Sequence, residues 1–334
     1  MMNRRPATPA SRILGTGRAV PPTVVSNADL SPRLSTSDTW IREHTGIERR
    51  HVASPRETTS DLAAAAGRAA IEAAKLTPAD LDMIILATVS GDSPMPATAV
   101  HVQQKLGADL IPSFDIAASF AGFLYALAVA DQFIAAQTYQ TILVIGADML
   151  SRHVDPEDRT MVPLFGDGAG AVVLGPAAGD GRGILACNIH ADGSMAHLMG
   201  IPGGGSAEPH SKESLAKKHQ YIHMEGHALF QESVRHLSSY SLQALKSAGL
   251  TSAELDWVLP QQANKNIVDK IAHRFGFPRS RFIENIAEYG NTSAASLPIT
   301  LDEALRDRRI KPGQNILLCA LGAGITWGAA IVKI

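Results

Sequence analysis

The chain has 334 residues, a formal net charge of -2, 45% hydrophobic residues and 28 glycines. That length fills one large or two modest packed units, and the composition suits an α/β protein with buried strands. A charge this close to zero argues against nucleic acid as the main partner, and apolar runs such as IILATV and TILVIGA are too short to span a bilayer.

The opening MMNRRPATPA has no apolar core, so no signal peptide is expected. In the first half, apolar runs predict strands at Arg12–Thr16, Met83–Val89, Ser113–Ala117, Thr141–Gly146 and Gly170–Leu174. Amphipathic stretches between them predict helices at Asp61–Ala74, Ala97–Leu106 and Ala121–Ala136. Strands separated by helical patterns indicate crossover units and a largely parallel sheet.

The second half repeats the scheme. Strands are expected at Gly183–Ile189, Trp257–Pro260, Phe282–Glu284, Asn315–Ala320 and Ala329–Val332. Helices are expected at Ala228–Ala248, Asn266–Phe275 and Ala294–Asp307. Each half ends in a Gly-rich turn and a short apolar strand: FGDGAGAVVLG (165–175) and LGAGITWGAAIVKI (321–334). This reads as an internal duplication, with halves 1–178 and 179–334 fused into a layered αβαβα sandwich. The stretch 201–219, IPGGGSAEPHSKESLAKKH, is Gly-rich and then charged, and reads as a mobile surface excursion. Cys187 and Cys319 lie in apolar strand-like runs. They read as reduced, buried thiols, which fits a cytoplasmic location.

Two motifs carry weak signals alone. FGDGAGA (165–171) resembles a phosphate loop but has no lysine, and reads as a tight turn before a strand. His223 and His227 have i,i+4 spacing but no third ligand, so no metal site is expected.

Seven ordered segments together resemble one family. TSDTWIREHTGIERR (36–50), FDIAASFAGFLYAL (114–127), DPEDR (155–159), LFGDGAGAVVL (164–174), PQQAN (260–264), YGNTSAAS (289–296) and LGAGITWGAA (321–330) are similar to β-ketoacyl-[acyl-carrier-protein] synthase III. The resemblance covers nearly the whole chain and implies the thiolase fold, an α/β five-layered αβαβα sandwich of two duplicated halves. It also implies a mechanism. A cysteine takes an acyl group from coenzyme A, and a histidine and an asparagine promote decarboxylation of a malonyl-carrier protein whose carbanion attacks the acyl-enzyme.

Carried over by position, the cysteine falls on Phe120, the histidine on Gln261 and the asparagine on Asn291. A phenyl ring cannot act as a nucleophile. A carboxamide does not exchange protons near neutrality as imidazole does. Phe120 is therefore either a core aromatic at a helix start or a ring that shapes or blocks a cavity. Loss of one member of such a constellation costs on the order of 10⁶ in turnover, roughly 8 kcal/mol of barrier. Donors and binding alone retain only about 10³–10⁴. Ordinary Cys-dependent condensation is not expected of this chain. Ser119 has no visible base and is expected to face away, and Cys319 reads as an inert structural thiol.

The resemblance implies further site residues. Trp40 matches the tryptophan that stacks on the adenine of coenzyme A, Arg159 an arginine near that base, and Asn264 a tunnel residue. Backbone amides of Phe120 and Ala323 would form an oxyanion hole. The arginine expected two positions after Asn264, which serves carrier-protein docking, is Asn266 here, with Lys265 beside it. Met95 falls where one subunit reaches its partner's acyl pocket, which implies a homodimer, or a heterodimer with an intact synthase. No cofactor is implied; coenzyme A or a phosphopantetheine thioester enters as substrate. The resemblance points to fatty-acid or polyketide-type biosynthesis, with acyl-coenzyme A and an acyl carrier protein as partners. Two alternatives follow from the replaced residues: a non-catalytic partner subunit of an active synthase, or an active-site-blocked variant of one.

Overall fold

A computed structural model describes residues 9–334. Residues 1–8, which hold most of the opening segment discussed for a signal peptide, lie outside the described residues.

The first sheet contains β1 (Ser11–Ala19), β2 (Met83–Ala87), β3 (Ser113–Ile116), β4 (Ile142–Asp148) and β5 (Gly168–Pro176), in the order β1-β5-β4-β2-β3. The second contains β6 (Gly183–Ala191), β7 (Trp257–Pro260), β8 (Asn315–Gly322) and β9 (Thr326–Lys333), in the order β6-β9-β8-β7. In both, the first strand pairs antiparallel with the last, the last antiparallel with the one before it, and the inner pairs run parallel. The fifth position of the second sheet is reduced to one parallel bridge, Val258 to Phe282. The strand expected at Phe282–Glu284 is therefore a correction. Pro278 and the turn Arg279–Arg281 deliver the chain late, and it leaves at once for the helical turn Ile286–Tyr289.

Eight helices matter here: α1 (Asn27–Leu34), α2 (Asp38–Thr45), α3 (Thr59–Ala73), α4 (Thr98–Leu106), α5 (Gly122–Ala135), α6 (Gly226–Ala248), α7 (Lys265–Phe275) and α8 (Ser296–Arg306). Side-chain alternation along the strands sorts the layers. Ile84, Leu86, Leu143, Ile145 and Val173 share a cluster with Leu62 and Ala66 of α3 and Val102 of α4. Their neighbours Met83, Ile85, Val144 and Val172 point the other way, into a central cluster with Phe123, Leu127, Leu297 and Leu301 of α5 and α8. Ile316, Leu318 and Val332 close that central layer from the second sheet. Leu317, Cys319 and Ile331 face outward onto Leu237, Leu245 and Ile271 of α6 and α7. The result is helices, sheet, helices, sheet, helices. Strands covered on both faces need continuous apolar sequence, which is why MIILA and ILVIG show no alternation.

Close packing of the middle layer rests partly on Gly146. A Cβ there would lie 2.3 Å from the carbonyl oxygen of Ala294, so only glycine lets β4 meet the start of α8.

The stretch 201–219 is more organised than expected. Ser211 caps a short helix, Lys212–Ala216, through a reciprocal bond with Ser214. The backbone N–H of Gly203 donates to the carbonyl of His219 at 2.8 Å, and the Lys218 ammonium bonds Asp155 at 2.6 Å and Glu157 at 2.9 Å. Local capping and ion pairs tie down a segment whose composition suggested a free loop. No helix among the described residues is long and apolar enough to cross a membrane.

Candidate functional site

Two turns of the same design converge in the middle layer. Ser119–Ala121 and Ser293–Ala295 are single 3₁₀ turns that lead directly into α5 and α8. Each begins with a serine at positive φ, 49° for Ser119 and 56° for Ser293. A left-handed conformation costs an ordinary L-residue on the order of 1 kcal/mol. The same strained step in both halves is a mark of the duplication. The two turns come together where the side chain of residue 122 would meet Ala294: a Cβ on Gly122 would lie 3.7 Å from the Cβ of Ala294.

Phe120 follows the first strained serine and is 3% exposed. Its ring packs on Phe165, with centroids 6.2 Å apart and planes tilted by 53°. Both rings belong to the apolar cluster that includes Leu198, Met199 and Ile325. The helix that follows Phe120 has no side-chain cap, and the positive end of its dipole lies at this turn.

The β8–β9 hairpin closes the site from the other side. A Cβ on Gly322 would fall 2.6 Å from the backbone N of Phe120, so the two main chains touch. Thr326 Oγ1 donates to the carbonyls of Ala118 at 2.8 Å and Ala323 at 3.1 Å, stitching the hairpin turn to the segment before Phe120. The backbones of Phe120 and Ala323, expected to share an oxyanion hole, therefore sit on two segments held against each other.

Gln261 and Asn291, each 3% exposed, are bonded directly: Gln261 Nε2 donates to Asn291 Oδ1 at 2.9 Å. Asn291 Oδ1 also accepts the backbone N–H of Ser293 at 2.9 Å. Gln261 is held from behind by its own N–H, which donates to the carbonyl of Cys319 at 2.7 Å. Asn291 is fixed by a two-way backbone exchange, its N–H to Leu164 at 2.8 Å and the Gly166 N–H to its carbonyl at 3.1 Å. This bridge sets Phe165 beside Asn291. One joint thus places both the ring that covers Phe120 and the amide that meets Gln261.

Sequence reasoning missed this joint and the residue beneath it. Arg50 is 1% exposed; its guanidinium donates to the carbonyls of Pro163 at 2.8 Å and Val25 at 3.0 Å, and to Asn27 Oδ1 at 2.8 Å. With only neutral acceptors bonded to it, burial pulls its pKa down to about 10. It anchors the loop that delivers Phe165. An arginine inside the motif TGIERR was the available signal.

The buried Asp148 supports the floor. It accepts from Thr88 Oγ1 at 3.0 Å, the Val89 N–H at 2.9 Å and Ser90 Oγ at 2.7 Å, and burial pushes its pKa up. The carbonyl of Cys319 accepts the Gln261 N–H, yet its thiol faces the outer cluster. It is fully buried and its pKa is pushed up to about 12, mainly by desolvation. Cys187 is only half-buried rather than buried as expected, its thiol 3.6 Å from the carbonyl of Leu124.

A cleft opens beside α2. Trp40 and Arg159 line one cleft of about 200 Å³ with Ser35, Thr36 and Ser37. Trp40 stacks on His44 at 4.4 Å with planes within 19°, so one indole face is covered. Arg159 is exposed and donates to the carbonyl of Ser35 at 3.3 Å. Asn264, expected in the tunnel region, is held at the start of α7. Its Oδ1 caps α7 by accepting the Asn266 N–H at 2.8 Å, and its Nδ2 donates to the carbonyl of His44 at 2.8 Å. Asn266 Nδ2 reaches the same carbonyl at 3.1 Å. The two asparagines clamp α7 to the helix that carries Trp40. Met95 is 85% exposed, away from Phe120's cluster. His223 Nε2 meets the carbonyl of Lys218 at 3.2 Å and His227 is exposed on the first turn of α6.

Comparison with known proteins decides the lineage. Residues 114–193 match the model for 3-oxoacyl-[acyl-carrier-protein (ACP)] synthase III, and residues 245–334 match the model for its C-terminal part. The chain is 48% identical over 329 residues to the β-ketoacyl-[acyl-carrier-protein] synthase III of Rhodospirillum rubrum, covering 97% of this chain and 99% of that one. The chain belongs to the β-ketoacyl-[acyl-carrier-protein] synthase III family. The Rhizorhabdus wittichii protein of that name is 46% identical, covering 96% of this chain and 98% of its own. Among solved structures, the 3-oxoacyl-[acyl-carrier-protein] synthase III of Aquifex aeolicus superposes with a TM-score of 0.89 at 40% identity, covering 97% of this chain and all of that one. The priming β-ketosynthase of the R1128 polyketide pathway gives 0.91 at 30% identity, covering 99% and 98%. The thiolase-like sandwich is thus that of the family; within it Gln261 and Asn291 are bonded to each other, and Phe165, bridged to Asn291, packs on Phe120.

Proposed function

We propose that this family member binds an acyl thioester of coenzyme A or an acyl carrier protein without forming a covalent acyl-enzyme. Its place is in fatty-acid or polyketide-type biosynthesis in the cytoplasm. One observation carries the reading: Phe120 fills the turn at the start of α5, and the Gln261 side chain is an amide that donates through Nε2 to Asn291. Neither side chain supplies a nucleophile or a titrating base. What remains suits recognition: the Trp40–Arg159 cleft for the adenine end, and the backbones of Phe120 and Ala323 for a polarised carbonyl. The names of the relatives, which specify an acyl carrier protein, support the ligand class.

We place the boundary of the duplicated halves near residue 178, because every strand of the first sheet precedes it and every strand of the second follows. A second reading, a subunit that pairs with a copy of itself or with an intact synthase, is favoured by the surface around β3. That strand is the open edge of the first sheet, and the exposed Val89, Met95, Val100 and Leu110 lie in the segments before it.

Calorimetric titration with acetyl- and longer acyl-coenzyme A, followed by intact-mass measurement of the same samples, tests the proposal. Saturable binding with an unmodified protein mass is expected. A mass increase equal to the acyl group, or no binding of any coenzyme A species, overturns it. Native mass spectrometry of the full chain separates a self-dimer from a monomer that needs a partner.

A further inference from the structure

A second cleft, of about 260 Å³, opens beside β1, the end strand of the first sheet. None of its lining residues belongs to the site described above. Three of them are cationic: Arg12 in β1, Arg182 just before β6, and Lys333 at the end of β9. Arg182 is paired with Asp180 at 2.6 Å, and Asp180 is also the carboxylate whose charge reaches Arg12. Among the described residues, neither Arg12 nor Lys333 has an ion pair of its own. The Arg12 Nε is sealed from solvent without a hydrogen-bond partner. A buried charged donor with no acceptor is a penalty that a bound acceptor removes. Ile334 also lines the cleft, but its N–H and carbonyl are bonded to Gln314 and Gly313.

The rest of the wall is mainly apolar. A regular strand sends successive side chains to opposite faces. In β1 the register shifts between Ile13 and Gly15, so Leu14 is an extra residue, and it lines the cleft together with Ile13. Leu305 and Pro312 add to this surface. Unpaired cations in an apolar wall match a ligand that is negative at one end and apolar along its length. One negative charge suits such a wall better than two, because the cost of stripping water from an ion grows with the square of its charge. A carboxylate also offers two in-plane oxygens to the Nε edge of a guanidinium, for two parallel bonds. The geometry points to a second ligand site that takes a short alkyl carboxylate, its head on Arg12 and Lys333 and its chain on Leu14, Leu305 and Pro312. This site is independent of the binding proposed at Trp40.

The test is calorimetric titration of the full chain with hexanoate at low ionic strength, with acetate, hexanol and butyl phosphate as comparators. Hexanoate is expected to bind about tenfold more tightly than acetate, the effect of four methylenes partly removed from water. Hexanol, with no charge, is expected to give no measurable binding, and butyl phosphate to bind more weakly than hexanoate. Arg12→Gln is expected to weaken hexanoate about tenfold or more, the loss of a charged hydrogen-bonding group. Lys333→Gln, near the chain end, is expected to weaken it about threefold, the effect of one partly exposed charge. Both variants should keep the melting temperature and the coenzyme A titration of the unaltered chain, and Trp40→Ala should keep hexanoate binding. Absence of hexanoate binding, equal binding of hexanol, or tighter binding of butyl phosphate overturns the inference. So does hexanoate binding that is unchanged in Arg12→Gln or Lys333→Gln, or lost in Trp40→Ala, because the ligand then sits elsewhere. If Arg12→Gln does not fold, Lys333→Gln decides alone. The proposed function stands or falls separately, on the coenzyme A titration.

Discussion

Phe120→Cys puts a thiol in the 3₁₀ turn that leads into a 14-residue helix with no side-chain cap at its start. Removing a ring that is 3% exposed leaves a cavity beside Phe165, so the variant should lose roughly 2–4 kcal/mol of stability. The new thiol should be reactive. Helix starts bring cysteine pKa values to about 7.5 or below, so roughly half or more is thiolate at pH 7.5. Cys319 has a pKa pushed up to about 12, so only about 3 × 10⁻⁵ of it is thiolate at that pH. The rate contrast is on the order of 10⁴. Timed iodoacetamide labelling with peptide mapping reads both sites in one sample, and acyl-coenzyme A with intact-mass detection reads acyl transfer. Labelling at position 120 that is no faster than at Cys319 would refute the claim that the turn still holds an activating environment. An acyl adduct on the unaltered chain would refute the claim that Phe120 ended covalent chemistry.

Four further outcomes are expected. Trp40→Ala should weaken coenzyme A binding about tenfold while leaving the melting temperature within a few degrees, since the indole is half-exposed and lines the Arg159 cleft; calorimetry and thermal unfolding measure the two. Gly322→Ala should destabilise by about 1–3 kcal/mol in urea unfolding, because its Cβ would meet backbone at 2.6 Å rather than a side chain that can yield. Burial lowers the pKa of His153, His190 and His236, so below their ordinary value near 6.5 the unfolded chain binds more protons than the folded one. Stability should therefore rise with pH through the interval below 6.5, and His153→Gln should flatten part of that slope in urea titrations between pH 5 and 7. Arg50→Met should loosen the Pro163–Phe165 loop and change amide exchange at Gly166 and Asn291, whose N–H groups form the joint, more than at β4.

The layers were legible because burial on both faces leaves plain marks. Trp257–Pro260 and the long apolar runs of β2, β4 and β8 can be read as strands with few errors at their ends. The Phe282–Glu284 strand was misjudged because its apolar residues serve a single bridge and then the core beneath a turn. In stretch 201–219, composition does not reveal that Lys218 reaches Asp155 and Glu157 far back in sequence. At the site, the motifs named Phe120, Gln261 and Asn291, but their bonds lay out of view. The Gln261–Asn291 contact spans 30 residues and depends on the Ser293 N–H to orient it. The capping role of Asn264 lay out of view, since a helix cap is decided by the backbone it meets.

The approach of Gly322 to the Phe120 nitrogen has a consequence for substitution. This wall is cast in polypeptide and owes nothing to the side chains at 120 or 261, so a change of either residue leaves the main-chain approach available to whatever takes its place.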